Sequence, residues 1–216
     1  MKRNVDLKDI SDGRLYSSND MVKAECGDCK GCFACCCGMG SSIVLDPLDV
    51  HRLTTGLNCT FEALLAKHLE LNVVDGIILP NLKMQEGTEQ CAFLNKEGRC
   101  SIHPIRPGIC RLFPLGRYYE NGSFQYFLQT HECKNENRTK VKVKKWIDTP
   151  DLKKYENYIT KWHYFLNDME AYIEKHPEEE KTISMSLLKI FYMQPFGEDF
   201  YGTFEKRRNE VKKLMA

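Results

Sequence analysis

The feature that most constrains this chain is the stretch CGDCKGCFACCCGMG, which spans residues 26–40 and contains six cysteines. Cys26, Cys29, Cys32 and Cys35 follow one another at a strict interval of three residues. A hydrophobic core does not need cysteine at every third position beside glycines, although cysteine is often buried as a small apolar residue. Metal sites need several thiolates close together, and Cys-x-x-Cys turns place them so. The stretch therefore predicts metal binding.

The compartment in which a chain resides decides between a metal site and disulfides. No apolar run reaches the length of a membrane span, and the N-terminus MKRNVDLKDISDGRLYSSND lacks the apolar centre of a signal peptide. We therefore expect a cytoplasmic protein without a membrane anchor, in which thiols stay reduced. The odd total of eleven cysteines agrees, because eleven thiols do not all pair.

Net charge argues against one broad class of partner. Lys and Arg number 31 against 30 Asp and Glu, and the resulting formal charge of +1 is not that of a bulk nucleic-acid binder. The one basic run, KVKVKK at residues 140–145, is interpreted as a solvated strand or loop.

The cysteines also divide the chain. All eleven lie between residues 26 and 133, and none follows. This shift predicts an N-terminal extension (1–25), a cysteine-cluster metal-binding domain (26–135) and a C-terminal helical region (149–216). The expected fold class is α+β, with a small metal-organised domain of short hairpins and helices ahead of the helical region. We expect the helical region to pack on that domain or on a protein partner.

Local signals mark the helices. Asp46 followed by Pro47 is typical of an N-cap and a first helical position, and Thr60 predicts the cap of a second helix. Thr149-Pro150 is expected to cap a long helix that Pro177 ends. Further helices are predicted over EEEKTISMSLLKIFYMQ and EDFYGTFEKRRNEVKKLM. Apolar residues at steps of three or four predict a buried stripe on the long helix: Leu152, Tyr155, Ile159, Trp162, Leu166, Met169 and Ile173.

Three hairpins are predicted in the cysteine-rich half. Asp75-Gly76 and Asn121-Gly122 are residue pairs that accept positive φ angles, and each lies between apolar arms. The segment CAFLNKEGRC has the same arrangement, with a turn over residues 95–98. That turn would bring Cys91 and Cys100 together.

The cysteine spacing does not fit several familiar sites. A bacterial ferredoxin needs a fourth cysteine followed by proline, whereas Met39 stands four residues after Cys35. A zinc finger would show two separated pairs, but the distal cysteines are nine and ten residues apart. A thioredoxin-type motif is a single pair in a βαβ setting, and a catalytic cysteine would be one special thiol.

Thiolate ligands select zinc or iron–sulfur clusters, and spacing alone does not separate the two. Small residues among the cysteines favour an iron–sulfur cluster, with 4Fe–4S preferred and zinc or mononuclear iron as the alternative. Arg106 and Arg111 flank Cys110, where they either offset the charge of a cluster or hold the loop by bonding carbonyls.

The order of motifs resembles the YkgJ-type cysteine-cluster family, whose members are described as zinc- or iron-chelating and are often called iron–sulfur cluster proteins. The motifs are CKGCFACC, CAFL, GRCSI and RPGICRLFP, and the resemblance covers roughly residues 26–133. It implies these metal ligands: Cys29, Cys32, Cys35, Cys36, Cys91, Cys100, Cys110 and Cys133. Cys26, Cys37 and Cys59 lie outside the shared motif, which leaves their roles open. His103 and His131 lie near Cys100 and Cys133, and either could complete a mixed site, although histidine in a loop is more often at the surface or behind the ligands.

Three functions are compatible with these observations. The first is a cytoplasmic metal-binding protein that acts in electron transfer, redox sensing or metal handling. The second is a cluster-dependent enzyme that modifies a protein substrate, suggested by the similar cysteine module of the flagellin lysine N-methylase. The third is a structural zinc module that interacts through its C-terminal helices. Whether the chain is an enzyme is left open.

Overall fold

Short antiparallel strands and short helices alternate up to residue 147, and helices make up most of the described residues that follow. The computed structural model describes residues 6–27, 32–135 and 137–214. Within these residues the helices are α1 (Leu7–Ile10), α2 (Pro47–Leu57), α3 (Phe61–Lys67), α4 (Gly108–Leu112), α5 (Val143–Ile147), α6 (Leu152–Lys175), α7 (Glu180–Leu188) and α8 (Phe200–Leu214). The strands are β1 (Ser11–Tyr16), β2 (Met21–Glu25), β3 (Leu69–Val74), β4 (Ile77–Leu82), β5 (Leu115–Glu120), β6 (Ser123–Gln129) and β7 (Thr139–Lys142). The predicted α+β class is confirmed.

The strands form three antiparallel sheets, in the orders β1-β6-β5, β2-β7 and β3-β4. Asp75 and Gly76 have φ angles of 49° and 79°, and Asn121 and Gly122 have 50° and 75°, as two-residue hairpin turns require. Both predicted hairpins are therefore confirmed. β1 and β2 come from the first 25 residues and pair with β6 and β7, so this segment is built into the sheets.

The N-terminus of α2 carries the predicted cap. The Asp46 carboxylate accepts a hydrogen bond from the Asp49 N–H at 2.9 Å, and the Asp49 carboxylate accepts one from the Asp46 N–H at 3.2 Å. This reciprocal capping box satisfies donors that a helix start otherwise leaves unpaired. Thr60 caps α3 as predicted, because its hydroxyl accepts from the Ala63 N–H at 3.3 Å.

The predicted cap of α6 is wrong. The N-cap is Asp151, with a φ of 48°, and its side chain makes no capping hydrogen bond to the helix backbone. The Thr149 hydroxyl instead donates to the Ile147 carbonyl at the end of α5 at 3.4 Å, so it is engaged by the preceding helix.

The third predicted hairpin is a turn without paired strands. The Gly98 N–H donates to the Asn95 carbonyl at 3.0 Å. The arms pair only next to the turn, where the Ser101 N–H donates to the Phe93 carbonyl at 2.9 Å beside an isolated bridge between Leu94 and Cys100. The start of the first arm pairs with another segment, because Cys91 bridges Met84, and this competition shortens the ladder that the sequence pattern predicts.

Helices α6, α7 and α8 share one continuous core with α2, α3 and the β3-β4 sheet. The predicted stripe on α6 is confirmed as core: Tyr155, Ile159, Trp162, Met169 and Ile173 are buried, and Leu152 and Leu166 are half-buried at its edge. The two further predicted helices are α7, which continues into a π-helical turn at Lys189–Met193, and α8. None of the helices within the described residues combines the length and the apolar character that a membrane crossing requires.

Buried hydroxyls fasten these helices to the start of α2. Tyr158 donates its hydroxyl to the Asp46 carboxylate at 3.0 Å and accepts from the Leu48 N–H at 3.1 Å. Tyr192 donates to the Leu45 carbonyl at 3.0 Å. Because a buried polar group without a partner is costly, these bonds fix how α6 sits against α2.

We predict that Tyr158→Phe lowers the free energy of unfolding by about 1–3 kcal/mol, since it leaves the buried Leu48 N–H without its acceptor. Urea unfolding followed by circular dichroism measures the loss. Tyr172→Phe is the matched control, because the Tyr172 hydroxyl makes only long contacts of 3.5 Å to Glu179 at the surface. Equal stability of the two variants would contradict the role of the Tyr158 bonds.

Candidate metal centre

The turn Ala34–Cys36 is tied by its backbone to a segment more than fifty residues away. The Cys91 N–H donates to the Cys36 carbonyl at 2.7 Å, and the Gly38 N–H donates to the Glu89 carbonyl at 2.9 Å. Because these bonds are between backbone atoms, they set the position of Cys36 beside Cys91 whatever the sulfurs bind.

The turn over residues 95–98 brings the next cysteine to the same place. Ser101 N–H and hydroxyl both donate to the Phe93 carbonyl, at 2.9 and 3.0 Å, which closes the segment that carries Cys100. A side chain at Gly98 would meet the Phe33 ring, with a Cβ only 2.9 Å from Cδ1. Phe33 therefore packs on the turn, next to the Ala34–Cys36 turn in sequence.

Cys110 lies on the short helix α4. The first N–H of this helix, that of Gly108, donates to the buried Asp49 carboxylate at 2.7 Å. A Cβ at Gly108 would collide with the Tyr155 hydroxyl, so this position requires glycine. The capping box of α2 and the core of α6 thereby position Cys110.

These segments enclose a cavity of about 80 Å³, which we call the inner cavity. Its sulfur lining comes from three parts of the sequence: Cys32, Cys35, Cys36, Cys91, Cys100 and Cys110. The rest of its wall is mainly apolar, with Leu82, Leu94, Ile102, Phe113 and Trp146, together with His103 and Arg106. The ten described cysteines are thiols and not disulfides.

The thiols around the cavity influence each other's ionisation. A hydrogen bond from the Cys36 thiol lowers the pKa of Cys35 to about 7, and the Arg106 charge contributes to the lowering. The same bond, together with burial, raises the pKa of Cys36. Burial is the main cause that raises the pKa of Cys91, Cys100 and Cys110. Cys35 therefore ionises more readily than Cys36, Cys91, Cys100 and Cys110, whose thiolates would be favoured by a bound cation.

The two arginines that flank Cys110 have different roles. Arg111 is buried and donates to the carbonyls of Pro104, Arg106 and Asp148, so it holds the loop. Arg106 lines the cavity and contacts His103 through one guanidinium nitrogen, and its buried Nε has no partner among the described residues. Arg111 therefore holds the loop, whereas the charge of Arg106 favours the thiolate of Cys35.

The spacing of the sulfurs bears on which metal group fits. Within the described residues, no three cysteine sulfurs all lie within 4.8 Å of one another. The group of three ligand atoms that does is formed by His176, Glu178 and Glu179, at the junction of α6 and α7. Four thiolates on one zinc ion lie about 3.8 Å apart, given tetrahedral bonds of about 2.3 Å. No three of the described sulfurs therefore lie as close together as the ligands of one ion. The donor set is soft and suits zinc or iron.

Residues 28–144 match the family model CxxCxxCC, described as "Putative zinc- or iron-chelating domain". The match covers more than half of the chain. The chain belongs to the CxxCxxCC family. The cysteine-cluster resemblance inferred from the motifs is thereby confirmed, and so is the coarser functional statement of a cysteine-rich zinc- or iron-chelating domain. No curated protein and no solved structure matches the chain.

The structure brings six of the eight expected ligands of this CxxCxxCC domain to the inner cavity. Cys29 lies outside the described residues. Cys133 lines a smaller adjoining cavity together with Cys26. Cys37 faces an open groove, and Cys59 lines a separate cavity beside α2 and α3.

Histidine and supporting residues complete this picture. His103 lies in the cavity wall, and His131 is exposed. Sequence reasoning missed Asp49 and Trp146, which support and border the cavity. Asp49 stands three residues after the N-cap Asp46, and this spacing could have indicated a capping role at the start of α2. Nothing in the local sequence around Trp146 indicates that it borders the cavity.

We predict that Gly108→Ala destabilises the fold by roughly 1–3 kcal/mol and lowers the bound metal per chain, because the added Cβ displaces α4 and with it Cys110. Elemental analysis and urea unfolding measure the two effects. Gly202→Ala in α8 is the matched control, since its Cβ displaces the Asp199 carboxylate that accepts from the Gly202 N–H, and so should cost stability in a helix without cysteine and leave the bound metal unchanged. Full metal content and unchanged stability in Gly108→Ala would contradict the positioning role.

Proposed function

We propose that the chain is a metal-binding protein that holds an iron–sulfur cluster in the inner cavity and acts in electron transfer, redox sensing or metal handling. The observation that carries the proposal is the convergence of six thiols from three distant segments on one enclosed, largely apolar cavity. The proposed ligands are drawn from these residues: Cys32, Cys35, Cys36, Cys91, Cys100 and Cys110. The family motif adds Cys29.

The size of the cavity favours a cluster, with 4Fe–4S preferred, over one zinc or iron ion. Its volume of about 80 Å³ is several times the roughly 10–15 Å³ that one water-sized sphere occupies.

The surrounding residues suit a buried, negatively charged group. Arg106 places a cation in the wall, with an unsatisfied buried Nε, and so offsets thiolate charge. Leu94, Ile102 and Phe113 exclude water and lower the local dielectric, which, together with hydrogen bonds to sulfur, sets the potential of a cluster. When bound, such a cluster supplies one-electron transfer.

A reducing compartment fits this site. Clustered thiolates serve as ligands only where they are not oxidised to disulfides, and the described cysteines are thiols. The cytoplasm is the compartment that we propose.

We predict that Cys100→Ser and Cys110→Ser lose most of the bound metal, because serine is a poor ligand for soft metals. Cys59→Ser should retain it, since Cys59 lies beside His51 and Phe61 in a different cavity. Iron, zinc and sulfide per chain are measured in the variants after purification without oxygen, together with absorption spectra. Brown protein with iron and sulfide is the expected wild-type result, and colourless protein with zinc would contradict the cluster. Full metal in Cys110→Ser would remove α4 from the site.

Metal removal should loosen the cysteine turns and leave the helical core in place. The segments 32–40 and 91–102 contain isolated bridges and turns, without regular strands of their own. Helices α6–α8 are held by an aromatic core that includes Trp162 and Phe191. After chelation we expect new protease cleavage within the two cysteine segments and largely retained helical circular dichroism. An unchanged cleavage pattern in metal-free protein would show that metal and local folding are independent.

A further inference from the structure

A second cavity lined by cysteines adjoins the inner one. It measures about 20 Å³, and we call it the outer cavity. Four of its lining residues are cysteines: Cys26, Cys32, Cys35 and Cys133. The two cavities share Cys32 and Cys35, and the side chains of Phe113 and Trp146 border both.

The cysteines that the cavities do not share separate into two groups. Cys36, Cys91, Cys100 and Cys110 line the inner cavity and not the outer one. Cys26 and Cys133 line the outer cavity and not the inner one. The inner cavity therefore has four thiols of its own, enough for a complete ligand set, without either outer residue.

Strand pairing brings the two outer cysteines to one end of the β2-β7 sheet. Glu25, the last residue of β2, pairs with Thr139, the first residue of β7. Cys26 follows Glu25 directly, and Cys133 lies in the loop that leads into β7. The Glu25 carboxylate also accepts from the Gly27 N–H at 2.7 Å, which turns the chain just after Cys26.

Trp146, on the short helix α5, borders both cavities. Its indole N–H donates to the carbonyls of Leu112 and Phe113, at 3.3 and 3.1 Å, which fixes the ring. Two neighbouring metal groups would share this ring and the turn that carries Cys32 and Cys35.

The size of the outer cavity decides what it can hold. One water-sized sphere occupies roughly 10–15 Å³, so a cavity of about 20 Å³ admits one ion and no cluster. Within the described residues no three cysteine sulfurs lie mutually within 4.8 Å, so an ion must draw the turns of Cys26 and Cys133 inward. Four thiolates around one ion are the ligand set of structural zinc sites.

We propose that Cys26 and Cys133, completed by Cys32 and Cys35, form a second site that binds a single soft divalent cation, separate from the inner centre. The proposal rests on the proposed function in taking the inner cavity as a metal centre of its own. Cys26 precedes the region that the family model matches. The ion would fasten the end of β2 to the loop ahead of β7 and close the outer side of the cysteine cluster.

The test compares two double variants of the full chain. The outer variant carries Cys26→Ser and Cys133→Ser, and the inner variant carries Cys100→Ser and Cys110→Ser. The single variant Cys59→Ser is the control. Each is purified without oxygen, incubated with zinc chloride, freed of loose ions by gel filtration, and analysed for zinc, iron and sulfide. We expect the outer variant to lose about one zinc per chain and keep the inner metal, and the inner variant to show the reverse.

The other outcomes are distinguishable. Unchanged zinc in the outer variant would overturn the second site. Loss of all metal from an outer variant that stays folded by circular dichroism would also overturn it, because a single centre would then use the inner and the outer cysteines together. If the inner variant keeps all its metal while the outer one loses zinc, the proposed function fails and the second site stands.

A substitution that preserves metal binding guards against misfolding as the cause. Histidine is a zinc ligand and serine is not, so Cys133→His should keep the outer zinc that Cys133→Ser loses. Equal zinc content in the two variants would overturn the assignment of Cys133 as a ligand.

Discussion

The hydrogen bond from the Cys91 N–H to the Cys36 carbonyl is the contact on which the cysteine cavity depends. It joins two segments that the sequence separates by more than fifty residues, and the bond from Gly38 to Glu89 repeats the connection two residues further on. Because both bonds use backbone atoms, they hold the sulfurs near each other without using any sulfur. The thiols therefore remain available for a ligand, whose bonds would add to the few backbone contacts that hold these turns.

The buried carboxylate of Asp49 holds another part of the cavity wall, the helix α4 that carries Cys110. Burial, and then the neighbouring Asp46, raises the pKa of Asp49 to about 8, which shows how unfavourable its charge is there. Hydrogen bonds from the N–H groups of Gly108 and Asp46 offset that cost and tie α4 to α2. Tyr158 in turn ties α2 to α6. Helix α6 contains no cysteine, yet it helps to position Cys110 through three successive contacts. These run from Tyr158 to Asp46, from Asp46 to Asp49, and from Asp49 to Gly108 in α4.

Elements held by hydrogen bonds between nearby residues could be predicted from the sequence. Elements whose pairing is decided by segments distant in the sequence could not. The caps at Asp46 and Thr60 and the turn at Asn121-Gly122 each satisfy their own nearby backbone, so a short window of sequence was enough. The arms around residues 95–98 look equally favourable locally, yet Cys91 takes its partners from Cys36 and Met84. Grouping of the cysteines followed from motif resemblance. Their division between two cavities depends on the β2-β7 pairing and on Trp146, which no local pattern indicates.

The spacing within the cysteine-rich turn explains why so many thiols occur in so few residues. Cys35 and Cys36 lie within the 3₁₀ turn Ala34–Cys36, Cys32 precedes it, and Cys37 follows it in an extended conformation with φ −130° and ψ 144°. Cys32 and Cys35 border both cavities, Cys36 borders the inner cavity, and Cys37 borders the open groove. Because the backbone changes conformation at Cys37, neighbouring cysteines reach different cavities, and a few residues can supply thiols to more than one place.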